Sequence, residues 1–287
     1  MVTSASLELF QNWILIHDDI EDQSDLRRGQ PSLHRKYGVE LSINAGDALH
    51  GKMWELILSN ENDLGAETTL SLCSEFTRML NETTEGQQIE LAWTRGNKWE
   101  INMDDYLLMV TKKSAWYTCI SPSRLGVILS TKDSLSSIER PRMTQDLLEK
   151  LVVIGTSFGI AFQIVDDVLN LTADESKYGK EILGDLFEGK RTLMLIHLLN
   201  TLGDADKTRV ISELSKPREN KTVEEMKEIY QLMVSSGSID YARKIAMAHS
   251  KKAMKLFEES LADQAKGRPE IYEQTKKLLH YLSSRDY

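Results

Sequence analysis

An apolar run from Leu151 to Val165 stops on two adjacent aspartates, Asp166 and Asp167. The run is too long for an ordinary buried strand and reads as a helix inside a core. It is short for a bilayer, contains Gln163 and ends in charge, so no transmembrane segment is expected. Carboxylates at such an end repel one another, are costly to desolvate and face the unfavourable pole of the helix dipole. A second stretch of the same construction stands near the start, where Leu7, Phe10 and Ile14, at helical spacing, lead into Asp18-Asp19-Ile20-Glu21-Asp22. Asp18 and Asp22 share one helix face, as do Asp166 and Asn170. A single cluster of this kind is as readily a solvated helix end. Two of them, each closing an apolar helix, point to a cation held between. Hard oxygen donors that leave room for phosphate oxygens suit Mg²⁺. The expectation is two acidic clusters facing across a cavity and holding Mg²⁺ against a diphosphate.

Helical spacing covers most of the remaining chain. It runs over Val39 to Leu58, about Ala66 to Trp93, and Tyr106 to Cys119, where Pro122 should interrupt it. After the central helix, Leu147 to Leu171, five more amphipathic segments follow: Thr192 to Leu202, Lys207 to Leu214, Val223 to Val234, Ile239 to Leu261 and Ile271 to Leu282. Loops are expected at Gln23 to His34, Lys132 to Thr144 and Thr172 to Asp185. No segment alternates like a half-buried strand, and no fixed repeat is visible. The result is an all-α bundle, one domain over residues 1–287. A net charge of −9 argues against nonspecific affinity for nucleic acid or anionic membrane. Cys73 and Cys119 form neither a metal spacing nor a disulfide framework, and nothing after Met1 reads as a leader. A cytoplasmic location is therefore the expectation.

Rival chemistries fail on spacing. A di-iron bundle needs Glu-x-x-His pairs, and no histidine here has a glutamate three residues before it. Gly184 to Lys190 is spaced like a nucleotide P-loop, yet Arg191 replaces the required Ser/Thr and no strand precedes it. Arg27 and Arg28 follow the first acidic cluster closely. Such pairs are often just solvated, but guanidinium forks bind phosphate bidentately, and their position beside a metal–diphosphate site favours that role.

His17 through His34, with its Asp18-Asp19-Ile20-Glu21-Asp22 and Leu26-Arg27-Arg28-Gly29-Gln30-Pro31, resembles the first aspartate-rich region of the trans-isoprenyl diphosphate synthases. Gly159 through Asn170, containing Gln163, Asp166 and Asp167, resembles the second. Gly86-Gln87-Gln88-Ile89-Glu90, Lys113-Ser114, Gly179-Lys180, Gly184-Asp185 and Gly189-Lys190-Arg191-Thr192 resemble the remaining motifs in family order. Geranylgeranyl diphosphate synthases are the most similar subtype. The resemblance implies a terpenoid-synthase-like helical fold with a central pocket, a homodimer, and three Mg²⁺ ions carrying an allylic diphosphate. It implies Asp18, Asp22 and Asp166 as metal ligands, with Asp19 and Asp167 in support. It assigns the allylic diphosphate to Arg27, Lys113, Ser114 and Lys180, aided by Gln163 and Lys190, with Lys113, Gln163 and Lys180 closest to the chemistry. Arg28, with Gln11, is implied for isopentenyl diphosphate.

Trp13, five residues before Asp18, lies about 7 to 8 Å down the helix axis. A lone tryptophan is usually core, but in this family that position, with Ile14 beside it, resembles the floor that limits product length. A twenty-carbon, geranylgeranyl product is expected, with a fifteen-carbon product as the runner-up. Glu90 stands where the family usually has Asp, and Ser114 where Thr is usual. The family's Gly-Lys-Arg isopentenyl-binding segment has no counterpart before Asp18, so a shortened chain or an incomplete homoallylic site is expected. Two alternatives follow: a class I terpene cyclase or lyase, or an inactive subunit that pairs with a full-length synthase.

Overall fold

The computed structural model describes residues 1–130, 140–173, 181–265 and 267–284. α1 (Val2–Glu21) carries the first acidic cluster at its C-terminal end and packs chiefly against α3 (Val39–Leu58). Between them lie a two-residue hairpin, Leu26–Arg27 against Gln30–Pro31, and the short α2 (Leu33–Tyr37). The hairpin departs from the strand-free expectation because its strands are too short to show alternation. Its turn residues, Arg28 and Gly29, both have positive φ (53° and 73°), as an I′ turn requires.

α4 (Glu61–Arg95) kinks at Gly65 (φ 78°), inside the break expected from the sequence. α5 (Met103–Val110) starts from a capping box: Asn102 Oδ1 accepts from the Asp104 and Asp105 amides, and Asp105 accepts from the Asn102 amide. Beyond it the rod does not break at Pro122. It passes through a π-helical stretch, Thr111–Ile120, into α6 (Ser121–Ser130). The wider π turn shifts the hydrogen-bond register, so that the Ser121 amide reaches back to Trp116 O and the proline is taken up without a stop.

α7 (Arg140–Thr172) begins earlier than expected, with Pro141 in its first turn, where a missing N–H costs nothing. Only residues 140–144 of the expected loop Lys132–Thr144 and 181–185 of Thr172–Asp185 can be compared, apart from Thr172 and Ala173; the rest lies outside the described residues. Gln145–Thr172 is, with its flanks, long and apolar enough to cross a bilayer. Here α12 (Ser238–Ala265) covers one side of α7 and the π stretch another, as for a core helix. The bundle is completed by α8 (Gly184–Glu188), α9 (Leu193–Thr201), α10 (Asp204–Leu214), α11 (Val223–Ser235) and α13 (Pro269–Ser284).

Two apolar cores flank the site. Phe10, Trp13, Met53, Ile57, Leu72, Phe76, Met79 and Leu125 join α1, α3, α4 and α6. A larger core joins α5, α7 and α9 to α12 around Tyr106, Ile164, Met194 and Leu198. Each fully buried large side chain contributes about 1.5–3 kcal/mol. The acidic ends of α1 and α7 meet between these cores.

Candidate active site

Asp18, Asp22 and Asp166 line one cavity of about 690 Å³, together with Arg27, Lys113, Ser114, Gln163 and Lys190. The two acidic clusters, distant in sequence, therefore do face a common space. The same cavity is lined by Asp25, Glu181, Asp185 and Glu188, so among the described residues seven carboxylates face three cations, Arg27, Lys113 and Lys190.

Each cation is tethered. Lys113 lies 3.2 Å from Asp18 Oδ1 and pairs closely with the buried Glu90. Lys190 stands 2.7 Å from Asp22, 2.8 Å from Glu188 and 3.8 Å from Asp185. Arg27 forks onto Asp19, with Nε 2.9 Å from Oδ1, and reaches Asp18 Oδ2 at 3.5 Å. Asp19 is only 3% exposed and is taken up by that fork, so it aims Arg27 rather than facing the cavity.

Electrostatics differ across the first cluster. Burial alone would raise the Asp18 carboxyl, but Lys113, Lys190 and Arg27 hold it well below the usual range. Asp22 is pushed up to about 7, by burial first, with Asp18 and Glu188 adding to it against Lys190. Its Oδ2 is within ion-pair distance of Lys190 but receives no hydrogen bond, and Glu188 Oε2 is in the same position. Lys113 and Lys190 are driven up by surrounding carboxylates despite their burial, so both stay charged.

The second cluster is wired to the π stretch. Ser114 Oγ donates to Gln163 Oε1 at 2.6 Å, and Gln163 Nε2 donates to Asp167 Oδ1 at 2.7 Å. Tyr106 donates to the other oxygen of Asp167, which is buried and does not line the main cavity. Asp167 is thus bonded to Tyr106 and Gln163 beside Asp166. Asn170 accepts from the Asp185 amide at 3.1 Å, tying α7 to the start of α8.

The donor set fits divalent ions: it is carboxylate-rich, in charge excess, and holds buried oxygens without hydrogen bonds. Among the described residues no three His, Cys, Asp or Glu side chains form a ready-made cage. An ion here would take one or two protein oxygens and complete its shell with water and phosphate, as Mg²⁺ does.

A second, apolar cavity shares Leu15, Asp18, Lys113 and Tyr117 with the first and runs to Trp13 and Ile14. Trp13 is 9% exposed, stacks on His50 at 4.2 Å and meets Phe10 edge-on. Gly46 makes room for it: a Cβ there would collide with His17 and press on the Trp13 ring.

Gln11 is half-buried on α1 and Arg28 is exposed at the hairpin turn; neither lines these cavities. Lys180 lies outside the described residues. Sequence reasoning missed Tyr106, Tyr117, Asp25, Glu181 and Glu188. Two of these carried a signal: Asp25 lies inside the first aspartate-rich stretch, and Glu188 inside the glycine-flanked segment weighed as a P-loop. That segment folds instead as the short α8 followed by Gly189 at φ 73°.

The chain matches the family model for polyprenyl synthetase over residues 1–233. Over 250 residues it is 34% identical to the geranylgeranyl diphosphate synthase of Sulfolobus acidocaldarius, covering 87% of this chain and 71% of that enzyme. It resembles the crystal structure of geranylgeranyl pyrophosphate synthetase from Pyrococcus horikoshii with a TM-score of 0.77 at 28% identity, over 100% of this chain and 80% of that one. The corresponding synthase of Corynebacterium glutamicum, complexed with isoprenyl diphosphate and magnesium, gives a TM-score of 0.84 at 25% identity, over 99% and 79% of the two chains.

Proposed function

Because the chain belongs to the polyprenyl synthetase family, we propose that it condenses isopentenyl diphosphate with an allylic diphosphate (farnesyl, geranyl or dimethylallyl) and releases mainly geranylgeranyl diphosphate. One observation carries this reading: among the described residues seven carboxylates against three cations line a cavity that adjoins an apolar one lined by Trp13. A diphosphate would be repelled from such a cavity unless divalent cations accompanied it. The apolar space beside it suits a prenyl chain.

Bound Mg²⁺, three ions in this proposal, supplies the positive charge that favours departure of the diphosphate. Asp18, Asp22 and Asp166 hold it, with Asp19 and Asp167 fixing their surroundings. Lys113 and Lys190 exchange carboxylate partners for diphosphate oxygens, Arg27 trades its Asp18 contact for them while the Asp19 fork holds it, and Lys180 joins them. As the allylic C–O bond breaks, these side chains offset the charge gathering on the leaving oxygens. Gln163, held by Ser114 and Asp167, keeps its amide beside the reacting carbons. The apolar wall keeps water from the allylic cation. The isopentenyl double bond, with its diphosphate on Arg28 and Gln11, attacks that carbon. The proton lost from the adjacent carbon passes to the departed diphosphate.

Family membership favours condensation over cyclisation. A homodimer is part of the proposal, tested by light scattering. So is a cytoplasmic location, in keeping with the free Cys73 and Cys119. The deciding assay gives purified protein Mg²⁺, farnesyl diphosphate and labelled isopentenyl diphosphate. Labelled geranylgeraniol after dephosphorylation is the expected product. Cyclised or hydrolysed farnesyl product, or no turnover, would remove the reading.

A further inference from the structure

Adjoining the catalytic cavity across Asp22 and Glu188 is a larger one, about 1020 Å³, bounded by the loops that end α4 and α10. We propose that this second cavity is an anion site that takes a phosphate-class oxyanion, inorganic phosphate or diphosphate, on Arg191, Arg218 and Lys221.

The case begins with charge. Arg191 and Lys221 are 5% and 8% exposed, and among the described residues neither forms an ion pair with a carboxylate. Their hydrogen bonds go only to backbone carbonyls. Arg191 donates to Lys98 O at 3.0 Å, to Trp93 O at 3.3 Å and to Gly189 O, with its guanidinium 3.6 Å from the Trp99 ring centre. Lys221 donates to Phe187 O at 2.7 Å and Leu186 O at 3.0 Å. Adjacent buried cations without a counter-charge are unfavourable, and a bound anion would relieve them. Burial, and for Lys221 the neighbouring Arg191 and Arg218, already bring Arg191 down to about 10 and Lys221 to about 8.

Geometry and donor supply agree with this. Gly189 has φ 73°, and a Cβ built on it would lie 3.4 Å from both Arg191 Nη1 and Lys221 Nζ, so the two cations converge on one bare turn. A guanidinium has five N–H donors and an ammonium three, so carbonyls leave each with donors to spare. Arg218 pairs with Glu181 and stands 3.6 Å from Asp25 and 3.9 Å from Glu188, yet its buried Nη1 makes no hydrogen bond. The other cations on the wall differ from these. Lys216 binds Glu213 and Glu225, and Arg95, which donates to the Glu21 carbonyl, is exposed to solvent. The shared carboxylates Asp22 and Glu188 are offset by Lys190. The uncompensated positive charge therefore sits on Arg191 and Lys221, and Arg218, whose charge is paired, adds the unused Nη1 donor.

The test is calorimetric and needs no turnover, so it stands apart from the synthase reading. The protein is saturated with Mg²⁺ and an unreactive allylic thiodiphosphate to fill the catalytic cavity. It is then titrated with inorganic phosphate and, separately, with inorganic diphosphate; the arm that binds tighter identifies the source. One additional anion per chain is expected. Its affinity should fall about tenfold or more in Arg218→Gln and in Lys221→Met, as removal of a charge-assisted hydrogen bond implies. Arg218→Gln serves as the reporter if Lys221→Met fails to fold by circular dichroism. No additional anion, or one held equally well by both variants, overturns the proposal.

Discussion

The Tyr106 hydroxyl donates to Asp167 Oδ2 at 2.7 Å, joining the first turn of the middle rod to the acidic end of α7. Burial pushes Asp167 up to about 6 even though Gln163 and Tyr106 both act to lower it. Tyr106→Phe removes one of those two donors and keeps the ring. The acidic limb of the kcat/KM profile should then move to higher pH, with a larger loss of activity at pH 6 than at pH 8. The variant should also lose about 1.5–3 kcal/mol in urea unfolding, the usual worth of a hydrogen bond to a charged group. An unmoved pH limb would mean that Asp167 does not govern the site through its charge.

Asp22 makes the metal-free protein pH-sensitive. With its carboxyl up at about 7, the folded chain keeps a proton that the unfolded chain releases near 3.8. The folded state therefore binds more protons between those values, and stability falls as pH rises towards and through 7. Asp167 acts in the same sense, centred lower. Asp18, held down, loses its contribution only in strong acid, and Lys221 enters only above about 8. His34, His50 and His249, held below 6.5, act in the opposite sense but only beneath that value. From pH 6.5 to about 7.5 the stability of metal-free protein should therefore fall, by at most about 1.4 kcal/mol per pH unit from this one group, and its Tm with it. Saturating Mg²⁺ should flatten the slope by stabilising the ionised carboxylate. Scanning calorimetry with and without the metal reads both.

The π stretch is gripped between two glycines. A Cβ on Gly86 of α4 would overlap the backbone of Lys113, and one on Gly159 of α7 would overlap Ala115. Both neighbours are backbone or a packed methyl, so neither can swing aside. Gly86→Ala and Gly159→Ala should each destabilise the fold by about 1–3 kcal/mol through overpacking. Because Lys113 sits at the contact, Gly86→Ala should also raise KM for the allylic diphosphate in the protein that remains folded. Normal Tm and KM in Gly86→Ala would show that the helices separate freely.

The acidic clusters were legible because carboxylates closing apolar helices conflict with burial, and that conflict survives in the one-dimensional pattern. Lys113 and Lys190 were legible only through the family resemblance, since single lysines carry no periodic signal. The π turn escaped because a one-residue widening hardly disturbs helical spacing, and Pro122 then looked like a stop. Tyr106 escaped because an aromatic at a helix start reads as core, which it also is; nothing in the sequence tells that its hydroxyl finds Asp167. Pro141 misled in the opposite direction, since a first-turn proline and a loop proline look alike without the backbone. Asp19 reads in sequence as one of its cluster, but its pairing with Arg27 depends on a hairpin too short to predict.

Trp13 lines the apolar cavity and is proposed as its floor. Its ring is held on several sides at once, stacked on His50 at 4.2 Å and edge-on to Phe10 and His17. His50 is itself fixed by the Trp54 indole N–H, which donates to its Nε2 at 3.0 Å. A ring so braced is a candidate floor for a growing prenyl chain. Trp13→Ala should open the cavity towards α3 and admit further isopentenyl units, giving products longer than those of the parent protein. It should also cost about 3–5 kcal/mol, as truncation of a buried tryptophan does. Trp13→Leu should lengthen products less and spare more stability. Chromatography of the dephosphorylated alcohols measures the shift, and an unchanged product length in Trp13→Ala would place the floor elsewhere.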